Sequence, residues 1–292
     1  MTRVIAITLA AALFLGAMAP MAAAEQTESP PPSDAAPGRV VSMNLCTDLL
    51  AMLLAGEGQL WSVSQMSLDP MVSPLVEEAR ELEINHGRAE EIFLMRPDLV
   101  LANTLSPRST VAMLERLGIR VEQFAPASTL EDVRDRIMQM GRVLGREGAA
   151  QALLARFDTR LEALEAGEGP RPRAVIYHAN GYVSGRGSLS GDILDRAGFE
   201  NAAHAAGYDS GQVMPLEVLA LTDPDLVVTA RTYPGGSRSE EVLSHPVLRA
   251  FRAGRAGAVI EDQSWVCGTP FVLDAVEDLA EVRRRIAARE GE

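Results

Sequence analysis

The sequence predicts an α/β protein of two lobes with mainly parallel sheets, joined by one long helix. Three observations carry that prediction. From Arg39 onward, short apolar runs alternate with amphipathic stretches, as expected of parallel strands each followed by a covering helix. The stretch AEEIFLMRPDLVLA (Ala89 to Ala102) is echoed by PLEVLALTDPDLVVTA (Pro215 to Ala230). Glu90 precedes Pro97, and Glu217 precedes Pro224, by the same seven residues, at an offset of 127. Between the two copies, apolar residues fall at helical spacing over some 35 residues, from Leu130, Val133, Ile137 and Met140 to Phe157, Leu161 and Leu164.

Each element follows from local signals. RVVSM, from Arg39, reads as the first strand, and TDLLAMLLA as its helix with Thr47 or Asp48 as N-cap. LWSVS is a second strand. AEEIFLM is a helix that stops at Pro97, ahead of a buried strand. SPRSTVAMLERLG starts at Pro107 and closes on Gly118, leading into the strand IRVEQF. In the second half, RAVIYH, DPDLVVTA and AGAVIE read as strands. SGDILDRAG, PLEVLALT, SEEVLSHPVLRAF and the long closing segment from Thr269 to Glu290 read as helices. The predicted organisation is an N-terminal lobe over 39–127, a connecting helix over 128–168 with GREG (145–148) as a candidate break, and a C-terminal lobe over 169–292.

The beginning of the chain sets an expected compartment. Arg3 is followed by an apolar run from Val4 to Met18 and by small residues at Ala22, Ala23 and Ala24, which reads as a secretory signal over 1–24. The run is shorter than the roughly 20 residues that span a bilayer, and no cysteine near the cleavage site offers a lipid anchor. A periplasmic location is expected. Residues 25–38 are polar and proline-rich and read as a disordered lead-in.

Composition excludes several functions. The chain contains no lysine, which removes Schiff-base chemistry, Walker-type phosphate loops and serine–lysine dyads. A net charge of −13 argues against nucleic-acid partners and anionic membrane surfaces. No GxSxG, HExxH or CxxC motif is present. The one catalytic reading left is a cysteine hydrolase using Cys46 at a helix N-terminus.

The ordered set RVVSMNLCTD, NHGRAEEIFLMRPDLVLA, GYVSGRGSLSGDILDRAGFENAA, LEVLALTDPDLVV and HPVLRAF resembles the periplasmic substrate-binding proteins of ABC importers for iron–siderophore, haem and cobalamin, across residues 39–289. The resemblance implies two lobes on a backbone helix, a ligand cleft between them, no catalysis and a monomer. It also implies a partner, the permease dimer of the inner membrane with its cytoplasmic ATPase. An exposed glutamate on each lobe would dock into permease arginines, and by position these are Glu90 and Glu217. The expected ligand is an iron–siderophore-type chelate, with cobalamin as the alternative. No cofactor is expected beyond iron or cobalt carried by the ligand itself.

Ligands of open α/β lobes bind beyond the carboxyl ends of the strands. That places Asn44, Cys46, Met66, His86 and Arg88 of lobe one on the cleft, with Tyr182, Arg186, Arg231, Tyr233, Trp265 and Cys267 of lobe two. Arginine forks would suit anionic siderophores or haem propionates; aromatic and amide contacts would suit cobalamin. His86 is a candidate metal ligand and the tyrosines candidate haem ligands, with no metal set defined. Cys46 and Cys267 are the only cysteines. They are expected foremost as unpaired thiols facing one another across the cleft, with a disulfide as the second reading.

Overall fold

The computed structural model describes residues 36–164, 169–231, 235, 237–254 and 256–290. The expected signal segment, residues 25–35 of the lead-in and Tyr233 lie outside these.

Lobe one is a five-stranded parallel sheet. Its elements are β1 (Val40–Ser42), α1 (Leu45–Leu54), β2 (Leu60–Ser64), α2 (Val76–Arg80), β3 (Glu83–Asn85), α3 (Ala89–Leu94), β4 (Leu99–Asn103), α4 (Arg108–Arg116) and β5 (Val121–Phe124). The strand order is β3-β2-β1-β4-β5. The chain winds outward from β1 in both directions, which leaves a topological switch point between β1 and β4. Asn44, rather than Thr47 or Asp48, caps α1, its side chain accepting the Cys46 N–H. Thr47 and Asp48 therefore lie inside the first helical turn, both buried.

Lobe two repeats the plan with β6 (Arg173–Ile176), β7 (Tyr182–Val183), α7 (Leu189–Arg196), β8 (Glu200–Asn201), α8 (Ala202–Ala205), β9 (Gln212–Val213), α9 (Leu216–Thr222), β10 (Leu226–Ala230), α10 (Pro246–Gly254), β11 (Ala256–Ile260) and the closing helix. Its main sheet runs β11-β10-β6-β8, all parallel, and β7 and β9 form a small antiparallel ribbon. His245, whose Nδ1 accepts the Val247 N–H, caps α10.

The repeated Pro-Asp joint has a physical cause. Asp98 Oδ2 accepts the N–H groups of Gly38 and Arg39 at 3.0 and 2.8 Å, and Asp98 N–H donates to the Arg39 carbonyl. In lobe two, Asp225 Oδ2 accepts the Arg173 N–H at 2.8 Å, and Asp225 N–H donates to the Arg173 carbonyl. Each aspartate thus pins the residue that opens the neighbouring central strand and so holds the register of the two. The same bonds correct the reading of residues 36–38 as disordered lead-in: Gly38 is held by Asp98, and Pro37 accepts the Gln59 side-chain amide at 2.8 Å.

The connector also differs from the single long helix expected over 128–168. It forms α5 (Leu130–Leu144) and α6 (Glu147–Leu164). Gly145 takes the left-handed conformation at φ 66° and ends α5, so the chain reverses and the two helices pack antiparallel. Arg134 of α5 meets Asp158 of α6 at 2.7 Å. At Gly141 the helices approach so closely that a Cβ would collide with Ala150. The backbone helix is α6 alone, tied to the closing helix α11 (Val272–Glu290) by Arg160, which bridges Asp274 and Glu277.

One apolar core serves both lobes. It runs from Val40, Leu54 and Leu101 in lobe one through Ile137, Met140 and Phe157 of the hairpin to Ile176, Ile193 and Val276 in lobe two. Leu130 N–H, at the start of α5, donates to Asp192 of α7 at 2.7 Å. Asp98→Ala and Asp225→Ala are each expected to lower stability by about 1–2 kcal/mol, read as a fall of roughly 2–8 °C in Tm. Gly141→Ala is expected to cost about 1–3 kcal/mol by overpacking the hairpin.

Candidate functional site

A cavity of about 640 Å³ opens at the carboxyl ends of β1, β2 and β3. The β1–α1 turn contributes Met43, Asn44, Leu45 and Cys46. The end of β2 and the turn after it contribute Ser64, Gln65 and Met66, and the end of β3 and the loop after it contribute Asn85, His86 and Gly87. Asp69, Val266 and Cys267 complete the wall. A much smaller hollow lies on the β4–β5 side of the switch point, and Cys46 and Val266 border both spaces.

The partition between them is covalent. Cys46 and Cys267 form a disulfide across 221 residues, with their Cα atoms 5.1 Å apart. This overturns the reading of two unpaired thiols facing each other across a cleft. That reading treated a bond between the walls as an obstruction, whereas the bond forms the floor. The loop carrying Cys267, buried at 2 % exposure, reaches over into lobe one. A Cβ on the following Gly268 would strike Ala127, so the approach is close. The Cys46 sulfur is consumed in the bond, which removes the nucleophile of the hydrolase reading.

Beneath the cavity sits Asp48, with no exposed surface. Its Oδ2 accepts three hydrogen bonds, from Ser64 N–H at 3.1 Å, the Ser64 hydroxyl and the Ser67 hydroxyl at 2.8 Å. Oδ1 is buried without a partner among the described residues. Burial pushes the carboxyl up to about 6, although the hydroxyls of Ser42, Ser64 and Ser67 and the Ser64 N–H pull it back. Asn85 braces the same floor, donating to the Ser42 carbonyl and the Ser62 hydroxyl at 2.8 Å each.

Of the residues expected on the cleft, Asn44, Cys46, Met66, His86 and Cys267 line this cavity. His86 is held from below by Glu91, whose carboxylate accepts the His86 N–H at 2.8 Å and meets Nδ1 at 2.9 Å. Those bonds lower the Glu91 pKa against the opposing effect of partial burial. The others are placed elsewhere. Trp265 is 7 % exposed, packs in the core and turns its indole N–H to Asp262 at 3.2 Å. Arg231 is exposed and paired with Glu261 at 3.0 Å. Arg186 lines a separate cavity of about 650 Å³ along α7, β8 and α8. Arg88 and Tyr182 are exposed but form no part of the 640 Å³ cavity wall. Met43, Ser64, Asp69 and Val266 are lining residues that sequence reasoning missed. Met43, beside Asn44, and Val266, between Trp265 and Cys267, adjoin positions that were expected on the cleft.

Glu90 and Glu217 are both exposed and occupy the same place, the second residue of α3 and of α9. Glu91, the neighbour that competes with Glu90 by register, is occupied with His86. Among the described residues, no group of three or more His, Cys, Asp or Glu side chains is arranged to hold a metal ion.

A family model described as periplasmic binding protein matches residues 40–265. The cobalamin-binding protein of Halobacterium salinarum is 29% identical over 206 residues, 67% of this chain and 54% of that protein. The chain thus spans about half the length of the curated relatives it matches. Among solved structures, the periplasmic heme-binding protein RhuT from Roseiflexus sp. RS-1 superposes with a TM-score of 0.71 at 23% identity, covering 85% of this chain and 98% of that one. An ABC-type Fe3+-hydroxamate transport system protein from Saccharomonospora viridis gives 0.65 at 22%, covering 86% and 94%. At these identities, the two structures establish the shared two-lobed fold.

Two outcomes are expected of the site. Denatured but unreduced protein should show no free thiol, and the Cys46→Ser, Cys267→Ser double variant should lose about 2–4 kcal/mol, or roughly 5–15 °C in Tm. For Asp48, the folded pKa lies above the 3.8 of the unfolded chain. Its contribution is therefore most favourable below that value and is lost as pH rises to about 6. Urea unfolding from pH 4 to 7 should show Asp48→Asn gaining on the parent by roughly 3 kcal/mol across the window.

Proposed function

The chain belongs to the periplasmic binding protein family, and we propose that it captures a metal chelate between its lobes and delivers it to an ABC permease. The observation that carries this reading is the cavity at the switch point, preformed and floored by a disulfide between the lobes. Ligand contact is assigned to Asn44, Met66 and His86, with the disulfide of Cys46 and Cys267 beneath them.

The lining narrows the chelate. Most of the lining surface is apolar, with methionine and disulfide sulfur and the amides of Asn44 and Gln65 among it, and its ionisable members among the described residues are Asp69 and His86, with no arginine. A polycarboxylate chelate would meet no counter-charge there. A chelate with a neutral, amide-bearing periphery fits, which favours a ferric hydroxamate siderophore. Cobalamin is the second reading; it has the same amide character, and the matched curated relatives are named for it. The metal arrives inside the chelate.

Delivery is assigned to Glu90 and Glu217. One exposed carboxylate at the same helical position on each lobe presents a two-point contact to a permease dimer that carries arginines and is driven by its ATPase. The protein acts as a monomer, so that both carboxylates reach one permease pair.

A thermal-shift screen against a ferric trihydroxamate, cyanocobalamin, a ferric catecholate and haemin tests the ligand. A rise in Tm with the hydroxamate or cyanocobalamin is expected; stabilisation by none of the four would refute the reading. Reversing both glutamates, Glu90→Arg with Glu217→Arg, should abolish uptake of the bound chelate and leave its Kd unchanged. A parallel loss of affinity would sink the docking role.

A further inference from the structure

We propose that Asp48 is the positioning residue of the cavity: its ionised carboxylate, acting through Ser64 and Ser67, fixes the turn that holds Gln65 and Met66 in the cavity wall. This rests on the reading of that cavity as the ligand site, but the device itself is a property of the empty protein.

The geometry is asymmetric. All three donors converge on Oδ2, and the Ser42 hydroxyl, which also favours the ionised form, lies 2.8 Å from Thr47 Oγ1. Ser64 closes β2, and Ser67 lies in the single turn Gln65–Leu68 that follows it. Both serines are buried, whereas Met66 between them is 50 % exposed in the cavity. The carboxylate therefore grips the turn from below at the two residues that flank Gln65 and Met66. In the ionised form Oδ2 carries a share of the negative charge, and its three hydrogen bonds are charge-assisted. Protonation at the unpartnered Oδ1 leaves Oδ2 a neutral carbonyl oxygen with the same lone pairs, so all three bonds weaken together and the grip on the turn loosens.

The surroundings isolate this event. Of the elements packed against α1, β1, β2, β4 and the turn Gln65–Leu68 carry no ionisable side chain. The buried face of α5 is apolar, and its Arg136 borders the small hollow beside Thr47. Asp69 and His86 stand at the cavity wall, engaged with Met71 N–H and with Glu91 respectively. The carboxyl, raised to about 6, changes charge in a range that the outside medium readily reaches. The wall is thereby set for binding above that pH and slackened below it.

The test needs no ligand. The amide shifts of Ser64 and Ser67 and the methyl shift of Met66 are followed by NMR in the unliganded protein from pH 4.5 to 8. A shared transition with its midpoint near 6 is expected. It should move upward in Ser67→Ala, where one stabilising donor is lost, and vanish in Asp48→Asn. His86→Gln should leave it in place. Flat shifts at these three residues in the parent protein would overturn the proposal without any variant having to fold. So would a transition that persists in Asp48→Asn and disappears in His86→Gln. Failure of every chelate to bind would remove the assigned ligand and leave this result standing.

Discussion

The structure depends on the coupling of its two lobes: one apolar cluster spans both sheets, and one disulfide stitches them. Two α/β sheets joined by a linker would move freely, because an interface between independent lobes is small and polar. Here Ile137, Met140 and Phe157 of the hairpin pack with side chains from both sheets. Opening the lobes would expose that core at about 25 cal/mol for each Å². The Cys46–Cys267 bond then fixes the distance between the first helix of lobe one and the loop before α11. The cavity is a consequence of these two restraints, since its walls hang from β1, β2 and β3 and its floor is the bond itself.

A preformed site of this kind spends little binding energy on ordering itself. Selectivity for the proposed ligand would come from the lining, which is mostly apolar and sulfur-bearing, with a few amides and little charge. The group beneath it is a buried carboxylate whose hydrogen-bond donors among the described residues are serines. Such a group is costly at neutral pH. Its place directly under the cavity wall gives the cost a structural use, because the same bonds that hold the charge hold the turn.

Much of this was legible in the sequence, for reasons that are local. Period and length distinguish strands from helices, so the parallel α/β plan followed from runs such as Leu99–Asn103. The repeated Pro-Asp joint was legible as a repeat, and the structure explains it as a bond from each aspartate to the entry of the next strand. Glu90 and Glu217 could be paired because the repeat numbers them. What escaped was non-local. The disulfide joins residues 221 apart, and only the fold shows that Cys267 reaches into lobe one. The reversal at Gly145 was visible as a glycine but not as a turn, since the apolar period on either side continues. Trp265 and Arg186 sit in loops of similar composition. One packs inward and the other faces a different cavity, which sequence spacing does not encode. Asp48 looked like a helix cap, and its burial appears only when β2 and the following turn close over it.

The central claim is that the disulfide-floored cavity receives the chelate without movement of the lobes. Amide NMR of the protein, titrated with whichever chelate raises its Tm, tests this most directly. Shifts confined to 43–46, 64–69, 85–87 and 266–267 are expected. Shifts centred on the Arg186 cavity, or spread through α5, α6 and α11 as the lobes reorient, would contradict it.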